Sequence, residues 1–411
     1  MPSTPPDGEP VPADGALPAA ALTGLAGAPF GVYAHVPYCT TRCGYCDFNT
    51  YTATELGGAD APPGADRATW ADAALAELDL ALTVIPDAPA ASTIFLGGGT
   101  PTLLPPAELG RLVVGVRERF GLRADAEVTT EANPETLSPA VLDGLLAAGF
   151  TRLSLGMQAS APQVLATLDR HHTPGRAAAA VGWAHAAGFA SVSVDLIYGT
   201  PGESVADLSD ALAVAVDAGA DHVSAYSLIV EPGTRLAARV RRGELPMPDD
   251  DMLADRYELV EATLRAAGFA WYEVSNWART PAHRCRHNLL YWTGGNWWGV
   301  GPGAHSHIGG VRWWNRRHPA AWAAALAAGR TPAQAREVLD EGARHSERLL
   351  LELRLADGLP TAVLAGPQHR VAARAVADGL LDADAWAGGR AVPTLRGRLL
   401  ADALVTDLLA A

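Results

Sequence analysis

The sequence predicts an α/β fold: a partial (β/α)6 barrel, then an aromatic-rich α+β segment, then a small C-terminal helical or winged-helix domain. Two observations carry this prediction. From Gly31 onward, six short apolar segments alternate with helical stretches, which favours a parallel sheet with right-handed crossovers. In addition, no nucleotide-type glycine fingerprint follows the first apolar segment, so a barrel is favoured over a doubly wound sheet.

The predicted strands share a short apolar run and cover residues 31–36, 91–96, 126–132, 151–158, 190–198 and 222–230. The predicted helices fill the gaps and cover residues 67–84, 106–120, 138–148, 174–187 and 204–218. After about residue 235 the alternation stops. A long helix over 249–267 leads into a segment rich in tryptophan, and a last helix is predicted over 395–409.

Four regions follow from this pattern. Residues 1–28 are rich in Pro, Ala and Gly and lack an amphipathic period, which predicts a flexible N-terminal tail. The partial barrel takes residues 29–235. An aromatic-rich extension takes residues 236–332, and the C-terminal domain takes residues 333–411.

Composition narrows the classes of function. The chain has 411 residues and a net charge of −14, which argues against a general nucleic-acid or anionic-membrane binder. No Lys or Arg precedes Arg42, so the basic region of a secretory signal is missing, and no apolar run is long enough to predict a membrane span. We therefore predict a cytoplasmic protein.

Three of the four cysteines form a tight cluster, Cys39-Thr-Thr-Arg-Cys43-Gly-Tyr-Cys46. This CxxxCxxC spacing can wrap three thiolates around one corner of an iron–sulfur cubane and leave one iron open for a small molecule. A structural zinc would need a fourth ligand, which His35 might supply. We regard this zinc-bound module as the minor alternative.

Polar residues also follow the predicted strands. Glu131, Gln158 and the run Gly97–Gly99 lie at strand ends. In β/α barrels the carboxyl ends of the strands carry the chemistry. The alternative is that Glu131 and Gln158 are ordinary loop or capping residues.

These motifs together resemble a known family. A CxxxCxxC motif after a first strand, followed by a glycine-rich second strand end, resembles the radical SAM superfamily. The strings Tyr33-Ala-His-Val-Pro-Tyr-Cys39 and Cys46-Asp-Phe48 are similar to the oxygen-independent coproporphyrinogen III oxidase family. The resemblance extends from about residue 30 to the C-terminus. It implies a [4Fe-4S] cluster on the three cysteines, with S-adenosylmethionine (SAM) on the open iron.

The resemblance also implies a set of residues that border SAM: Tyr33, Tyr45, Gly98, Gly99, Thr100, Glu131, Gln158, Arg170 and Asp195. Glycine allows a ligand close to the backbone. A carboxylate suits the ribose hydroxyls or ammonium of SAM, and an arginine suits its carboxylate. The alternative for Arg170 and Asp195 is a structural ion pair. His171 and His172 are interpreted as loop residues beside this site.

One position separates two branches of the family. Members that oxidise coproporphyrinogen carry a further cysteine two residues after the third cluster cysteine, and here Phe48 stands at that position. The string Cys46-Asp-Phe48 resembles the HemW-type heme chaperone branch. Phe48 cannot act as a thiol, so oxidase activity is disfavoured while SAM binding is unaffected.

A second motif, His287-Asn288-Leu-Leu-Tyr291-Trp292, is similar to the HNxxYW motif of the same branch. A neutral imidazole suits heme iron, and aromatic faces suit a flat macrocycle. His287 is therefore the predicted heme ligand, with Cys285 as a competing ligand. The alternative is a hydrogen-bonded cluster in the core. The loop Gly299–His305 also resembles the family, without a predicted role.

The leading hypothesis is a heme chaperone that holds a [4Fe-4S] cluster and SAM. The resemblance implies that it passes heme to membrane-associated respiratory proteins, with contact to the membrane only through the acceptor. The alternative is an oxygen-independent coproporphyrinogen III oxidase, or a related radical SAM enzyme acting on a porphyrin, which would cleave SAM reductively.

Overall fold

A computed structural model describes residues 7–57 and 63–411. Fourteen strands lie in the described residues: β1 (Phe30–Val36), β2 (Ala91–Gly98), β3 (Leu122–Ala132), β4 (Arg152–Gln158), β5 (Ser191–Tyr198), β6 (His222–Ser227), β7 (Ala270–Glu273), β8 (Asn276–Ala278), β9 (Asn296–Val300), β10 (His305–Ile308), β11 (Val311–Asn315), β12 (Ala333–Val338), β13 (Leu359–Pro360) and β14 (Arg390–Ala391).

The same residues form sixteen α-helices: α1 (Ala19–Leu22), α2 (Trp70–Val84), α3 (Pro106–Phe120), α4 (Pro139–Ala147), α5 (Pro162–Thr167), α6 (Arg176–Ala187), α7 (Val205–Asp217), α8 (Arg235–Arg241), α9 (Asp250–Ala266), α10 (Arg286–Trp292), α11 (Pro319–Ala327), α12 (Glu341–Glu352), α13 (Gly366–Ala377), α14 (Ala383–Ala387), α15 (Leu395–Leu399) and α16 (Ala401–Leu409). Short 3-10 turns cover Leu25–Gly27, Pro101–Leu103, Pro134–Thr136, Pro281–His283 and Thr361–Val363.

Twelve strands form one sheet in the order β12-β11-β10-β9-β1-β2-β3-β4-β5-β6-β8-β7. Neighbouring strands from β9 through β1 to β6 are parallel, and the strands at both ends are antiparallel. The predicted parallel α/β sheet is confirmed. Each of its six predicted strands is present within a few residues of the expected bounds.

Local sequence signals explain several helix ends. α3 begins with Pro106 at its first turn, where the missing N–H costs nothing. Ser204 and Asp207 form a reciprocal capping box at the start of α7. α6 ends at Gly188, whose φ of +109° requires glycine. These signals set the crossovers that return the chain to each successive parallel strand.

The N-terminal segment differs from the predicted flexible tail. Residues 1–6 lie outside the described residues, but residues 7–28 pack on the sheet. Glu9 pairs through its backbone with Arg336 of β12, and its carboxylate receives the Arg336 guanidinium at 2.7 Å. Ala21 and Leu25 are buried in the main core. The prediction failed because a segment that packs as an irregular strap has no amphipathic period.

The C-terminal boundary also differs from the prediction. β12 pairs with β11, so residues 333–338 belong to the large sheet. A separate core begins with Leu349 and Leu353 and gathers α12, α13, α16 and the β13–β14 ribbon. The helical character predicted for this part is confirmed. Over 395–409 the predicted single helix is two helices, because Leu400 interrupts it.

One ion pair joins this small domain to the main sheet. The Arg398 guanidinium lies 2.8 Å from the Glu261 carboxylate of α9, and about a tenth of each side chain is exposed. Arg398 also stacks on Trp271 at 4.3 Å. Among the described helices, none combines the length and the apolar character needed to cross a bilayer.

Candidate cofactor-binding site

The three clustered cysteines lie in residues 37–51, here called the cysteine loop, directly after β1. Its ends are held together: the Cys39 N–H donates to the Tyr51 carbonyl at 2.9 Å, and the Tyr51 N–H donates to the Pro37 carbonyl at 2.7 Å. All three cysteines are half-buried and free. Burial raises the pKa of Cys39, and burial raises the pKa of Cys46 to about 11. These thiols therefore favour a cationic centre such as iron, which would stabilise the thiolates.

Asn49 anchors the cysteine loop to the glycine-rich segment Gly299–His305. Its side-chain N–H groups donate to the carbonyls of Pro302 at 3.0 Å and Arg317 at 2.7 Å. A Cβ on Gly303 would lie 2.7 Å from the Asn49 amide nitrogen. Only glycine allows this close approach. The segment that had no predicted role therefore supports the cysteine loop.

His35 is fully engaged within the protein. Its Nδ1 lies 3.0 Å from the Tyr33 hydroxyl, and its Nε2 lies 2.9 Å from the Asn49 carbonyl. Burial lowers the pKa of His35 to about 4. With both ring nitrogens bonded, His35 is not free to complete a zinc site. Among the described His, Cys, Asp and Glu side chains, no group of three or more is arranged to hold a single metal ion.

The predicted glycines at the end of β2 lie against the cysteine loop. Gly99 donates to the Val36 carbonyl at 2.8 Å, and Thr100 donates to the Tyr38 carbonyl at 2.7 Å. A Cβ on Gly99 would lie 2.5 Å from the Tyr38 carbonyl oxygen. Gly98 has a φ of +106°. The glycines thus let the backbone of β2 approach both the loop and a bound ligand.

Two of the predicted acidic residues, Glu131 and Asp195, interact electrostatically, and Glu131 also acts on Tyr33. The region between these three side chains is called the lumen below. Glu131 accepts a hydrogen bond from the Gly98 N–H at 3.0 Å. Burial, followed by the charge of Asp195, raises the pKa of Glu131 to about 7. Burial also raises the pKa of Asp195, which accepts hydrogen bonds from Ser154 at 3.1 Å.

The electrostatics of this lumen suit a cationic ligand. Arg152, which is 3 % exposed, contributes positive charge near both Glu131 and Asp195. Two buried carboxylates near one guanidinium leave an excess of negative charge. SAM carries a sulfonium and an ammonium, so the residues present fit it.

Arg170 links the lumen wall to the cysteine loop. Its Nη1 lies 3.4 Å from the Cys43 sulfur, and its Nη2 donates to the Gly156 carbonyl at 2.6 Å. Its Nε donates to His172 at 3.0 Å. Its contacts therefore go to the cysteine loop rather than to Asp195, so the ion pair considered as an alternative is not formed.

Gln158 and Tyr45 complete the predicted SAM set. Gln158 ends β4 at a bulge in the pairing with β5 and has a φ of +69°. A non-glycine residue in this conformation stores strain, which is typical of ligand sites. Tyr45 packs beside Leu165 and Leu168, and burial raises its pKa. The fold therefore holds both residues in defined positions.

The HNxxYW motif forms the short helix α10, which packs on β1 and β2. His287 is 1 % exposed, with its Nδ1 at 2.8 Å from the Thr93 hydroxyl and its Nε2 at 2.8 Å from the Tyr291 hydroxyl. Its ring stacks on Phe95. Burial lowers the pKa of His287 to about 3, so the imidazole is neutral. In this arrangement the histidine is a bonded core residue, as the alternative interpretation expected.

The other two motif side chains meet at Glu273 of β7. Asn288 donates to its carboxylate at 3.4 Å, and the Trp292 indole also hydrogen bonds to it. Burial raises the pKa of Glu273. One pair of motif residues, His287 and Tyr291, therefore bonds internally, while the other pair holds α10 to β7.

Sequence reasoning missed Glu127 of β3. Its carboxylate accepts hydrogen bonds from the backbone N–H groups of Arg286 at 2.9 Å and His287 at 3.1 Å. The Cys285 sulfur lies 3.7 Å away. Burial raises the pKa of Cys285, so this thiol is neutral and buried. A second glutamate inside the predicted strand 126–132, besides Glu131, was the available signal.

Sequence reasoning also missed Glu77 of α2. It accepts hydrogen bonds from the Gly301 N–H at 2.8 Å, the Asn315 amide at 2.6 Å and the Trp322 indole at 2.7 Å. Burial raises the pKa of Glu77 to about 7. This carboxylate holds the glycine-rich segment that supports the cysteine loop.

Phe48 differs from its partly buried neighbours in the cysteine loop, since 62 % of the residue is exposed. It lies at the outer side of the cysteine loop, two residues after Cys46. Packing against the rest of the protein therefore does not explain why phenylalanine stands at this position.

Comparison with known proteins places these features in context. Residues 33–215 match the model of the radical SAM superfamily. The chain is 58 % identical over 391 residues to the heme chaperone HemW of Mycobacterium tuberculosis, covering 94 % of this chain and 97 % of that protein. It is 36 % identical over 280 residues to the heme chaperone HemW of Escherichia coli, covering 68 % and 70 %.

A solved structure shares the fold. Coproporphyrinogen III oxidase (HemN) from Escherichia coli, a radical SAM enzyme, superposes with a TM-score of 0.78. It is 23 % identical and covers 94 % of this chain and 92 % of its own. At this identity the likeness concerns the fold alone.

Proposed function

This chain belongs to the radical SAM superfamily and to its HemW-type branch, and we propose from that membership that it is a heme chaperone. It would hold heme, a [4Fe-4S] cluster and SAM, and would deliver heme to respiratory proteins at the membrane. The observation that carries the proposal is the 58 % identity to a heme chaperone over 97 % of that protein's length.

Each group would have its own residues. Cys39, Cys43 and Cys46 would hold the cluster, and the lumen would hold SAM. Arg170 would bind the SAM carboxylate, because a guanidinium pairs with a carboxylate through parallel hydrogen bonds. When bound, the cluster and SAM supply one-electron chemistry that side chains lack.

The remaining SAM residues would orient the ligand. Glu131 and Asp195 would accept hydrogen bonds from the cationic or hydroxyl groups of SAM. The backbone of Gly98 and Gly99, together with Thr100, would form the adjacent wall, while Tyr33, Tyr45 and Gln158 would exclude water. The raised pKa of Glu131 supports this role, because a bound cation would stabilise its ionised form.

His287 remains the proposed heme ligand, and its surroundings define a test. Ligation requires Nε2 to leave the Tyr291 hydroxyl or Nδ1 to leave Thr93. Y291F removes one competing bond and should therefore strengthen heme binding, whereas H287A should abolish it. C285A tests the competing ligand: if His287 ligates heme, loss of this buried neutral thiol should leave heme binding unchanged.

The deciding experiment is an anaerobic heme titration of the cluster-loaded protein, followed by the Soret band. An assay with coproporphyrinogen III, SAM and a reductant is run on the same preparation. Heme binding without a vinyl-bearing product supports the chaperone. Product formation supports the oxidase alternative, and an unchanged Soret band refutes heme binding.

A further inference from the structure

We propose that His172 is a positioning residue for SAM, because its Nε2 lone pair holds the Arg170 guanidinium in the direction of the cysteine loop. This inference rests on the proposed SAM site and assigns a specific role to a residue interpreted from sequence only as part of a neighbouring loop.

The hydrogen bond between Arg170 and His172 can run in only one direction. Arg170 Nε lies 3.0 Å from His172 Nε2. A guanidinium donates only, so His172 must accept through Nε2 and carry its proton on Nδ1. Any other side chain in the place of His172 would also have to accept this hydrogen bond from Arg170. Arg170 is therefore held by an uncharged acceptor that does not neutralise it.

The His172 bond leaves one part of the Arg170 guanidinium available to the cysteine loop. A guanidinium has three faces for donation, and Gly156 and His172 occupy two of them on the side of the lumen wall. The remaining nitrogen, Nη1, is directed to the Cys43 sulfur at 3.4 Å. If the His172 bond is lost, the Gly156 bond remains on this side, and the planar guanidinium can turn about the Cδ–Nε bond so that the edge facing the cysteine loop moves.

The His172 imidazole lies in a largely buried position beside a cleft. The His172 side chain is 6 % exposed, and it lines a cleft of about 650 Å³ with Met157, Leu165 and Ala177. Its Nδ1 lies 4.0 Å from Glu135 Oε1, and the backbone of Gly156 and Met157 also lies beside the ring. These acceptors favour a proton on the ring, and the Arg170 donor leaves Nε2 as the accepting nitrogen.

The charges around His172 keep it neutral. The groups that face it are Arg170 and Glu135, and Glu135 is also held by Arg176 at 3.8 Å and by Thr173. Burial, followed by the Arg170 charge, lowers the pKa of His172 to about 4. The acceptor state is therefore populated across the pH range in which the protein would be handled.

The test compares three variants of the cluster-loaded protein. H172F keeps an aromatic ring but removes the acceptor, and H172Q restores an acceptor near the position of Nε2. H171F is the matched control, because His171 is the exposed neighbour on the same loop. SAM affinity is measured by equilibrium dialysis, and the electron paramagnetic resonance spectrum of the reduced cluster is recorded with and without SAM.

We expect H172F to weaken SAM binding about tenfold or more, as for other residues that orient a ligand-binding group, and to lose the spectral change on SAM addition. H172Q should recover most of the affinity, and H171F should match the native protein. Iron content and thermal melting confirm that each variant is folded and loaded.

Two outcomes overturn the inference: H172F that binds SAM within twofold of the native protein, or H172Q that falls as far as H172F. The second would show that ring shape, not the acceptor, matters. Failure of the native protein to bind SAM would instead refute the proposed SAM site itself, and the inference with it.

Discussion

Removal of the Glu131 charge tests the electrostatics of the lumen. Its pKa of about 7 means that the carboxyl is largely protonated at pH 6 and largely ionised at pH 8. A cation favours the ionised form, so SAM binding should release a proton near neutral pH. On the titration of a single group, the ionised fraction falls about tenfold between pH 8 and pH 6.

This fraction sets the expected magnitude. If only ionised Glu131 attracts SAM, the dissociation constant rises about tenfold between pH 8 and pH 6, or about 1.4 kcal/mol. E131Q should show no such rise. The native protein and E131Q should therefore differ most at pH 8 and converge near pH 6.

The assay is equilibrium dialysis of SAM against both proteins at four pH values between 6 and 8.5. The ratio of the two dissociation constants removes the titration of SAM itself and of the cysteines. Without SAM, ionisation of Glu131 lowers stability instead of aiding binding. Because the pKa of Glu131 is raised in the folded protein, the free energy of unfolding declines as pH rises from about 4.5 through about 7. Parallel SAM profiles for the two proteins would refute this reasoning.

Three further predictions concern structure. C43A should abolish the cluster absorbance but change the free energy of unfolding by less than about 1 kcal/mol, since the half-buried thiol lies outside the main core; denaturant titration checks this. N49A should lower the iron content and cost about 2 kcal/mol or more, because it removes the two bonds that the side chain donates to Pro302 and Arg317 and the two that its oxygen accepts from Tyr51 and Arg317; iron analysis with N288A as control tests it, and full iron content would contradict it. R398A should cost about 3–5 kcal/mol and expose the C-terminal domain to protease, since it leaves Glu261 buried and unpaired; an unchanged digestion pattern would exclude this role.

The parallel half of the fold was accessible from sequence. Apolar runs of six to nine residues separated by helical stretches leave few topologies, and right-handed crossovers order the strands. The short antiparallel strands were not accessible. β8 has three residues, and β10 has four, too few for a period-two pattern to be distinguished from loop.

The candidate site, too, was only partly predictable from the sequence. The cysteine spacing and the glycine run are local in sequence, so they could be recognised directly. Glu77 and Glu127 act through partners more than 150 residues away, while Glu273 bonds to Asn288 as well as to its near neighbour Asn276. No local pattern predicts the distant pairings. His287 illustrates the limit: its motif was recognisable, but its bonds to Thr93 and Tyr291 depend on three-dimensional packing.

The bonds of Asn49 to Pro302 and Arg317 set an order of events during synthesis. The cysteines emerge early from the ribosome, yet the segment that supports their loop follows more than 250 residues later. β1 likewise waits for β9 to cover its free edge. An unpaired edge strand invites pairing with other chains. Insertion of the proposed cluster into a supported loop would therefore be a late, post-translational step, and the nascent chain would pass through an interval in which its cysteines and its β1 edge both need protection.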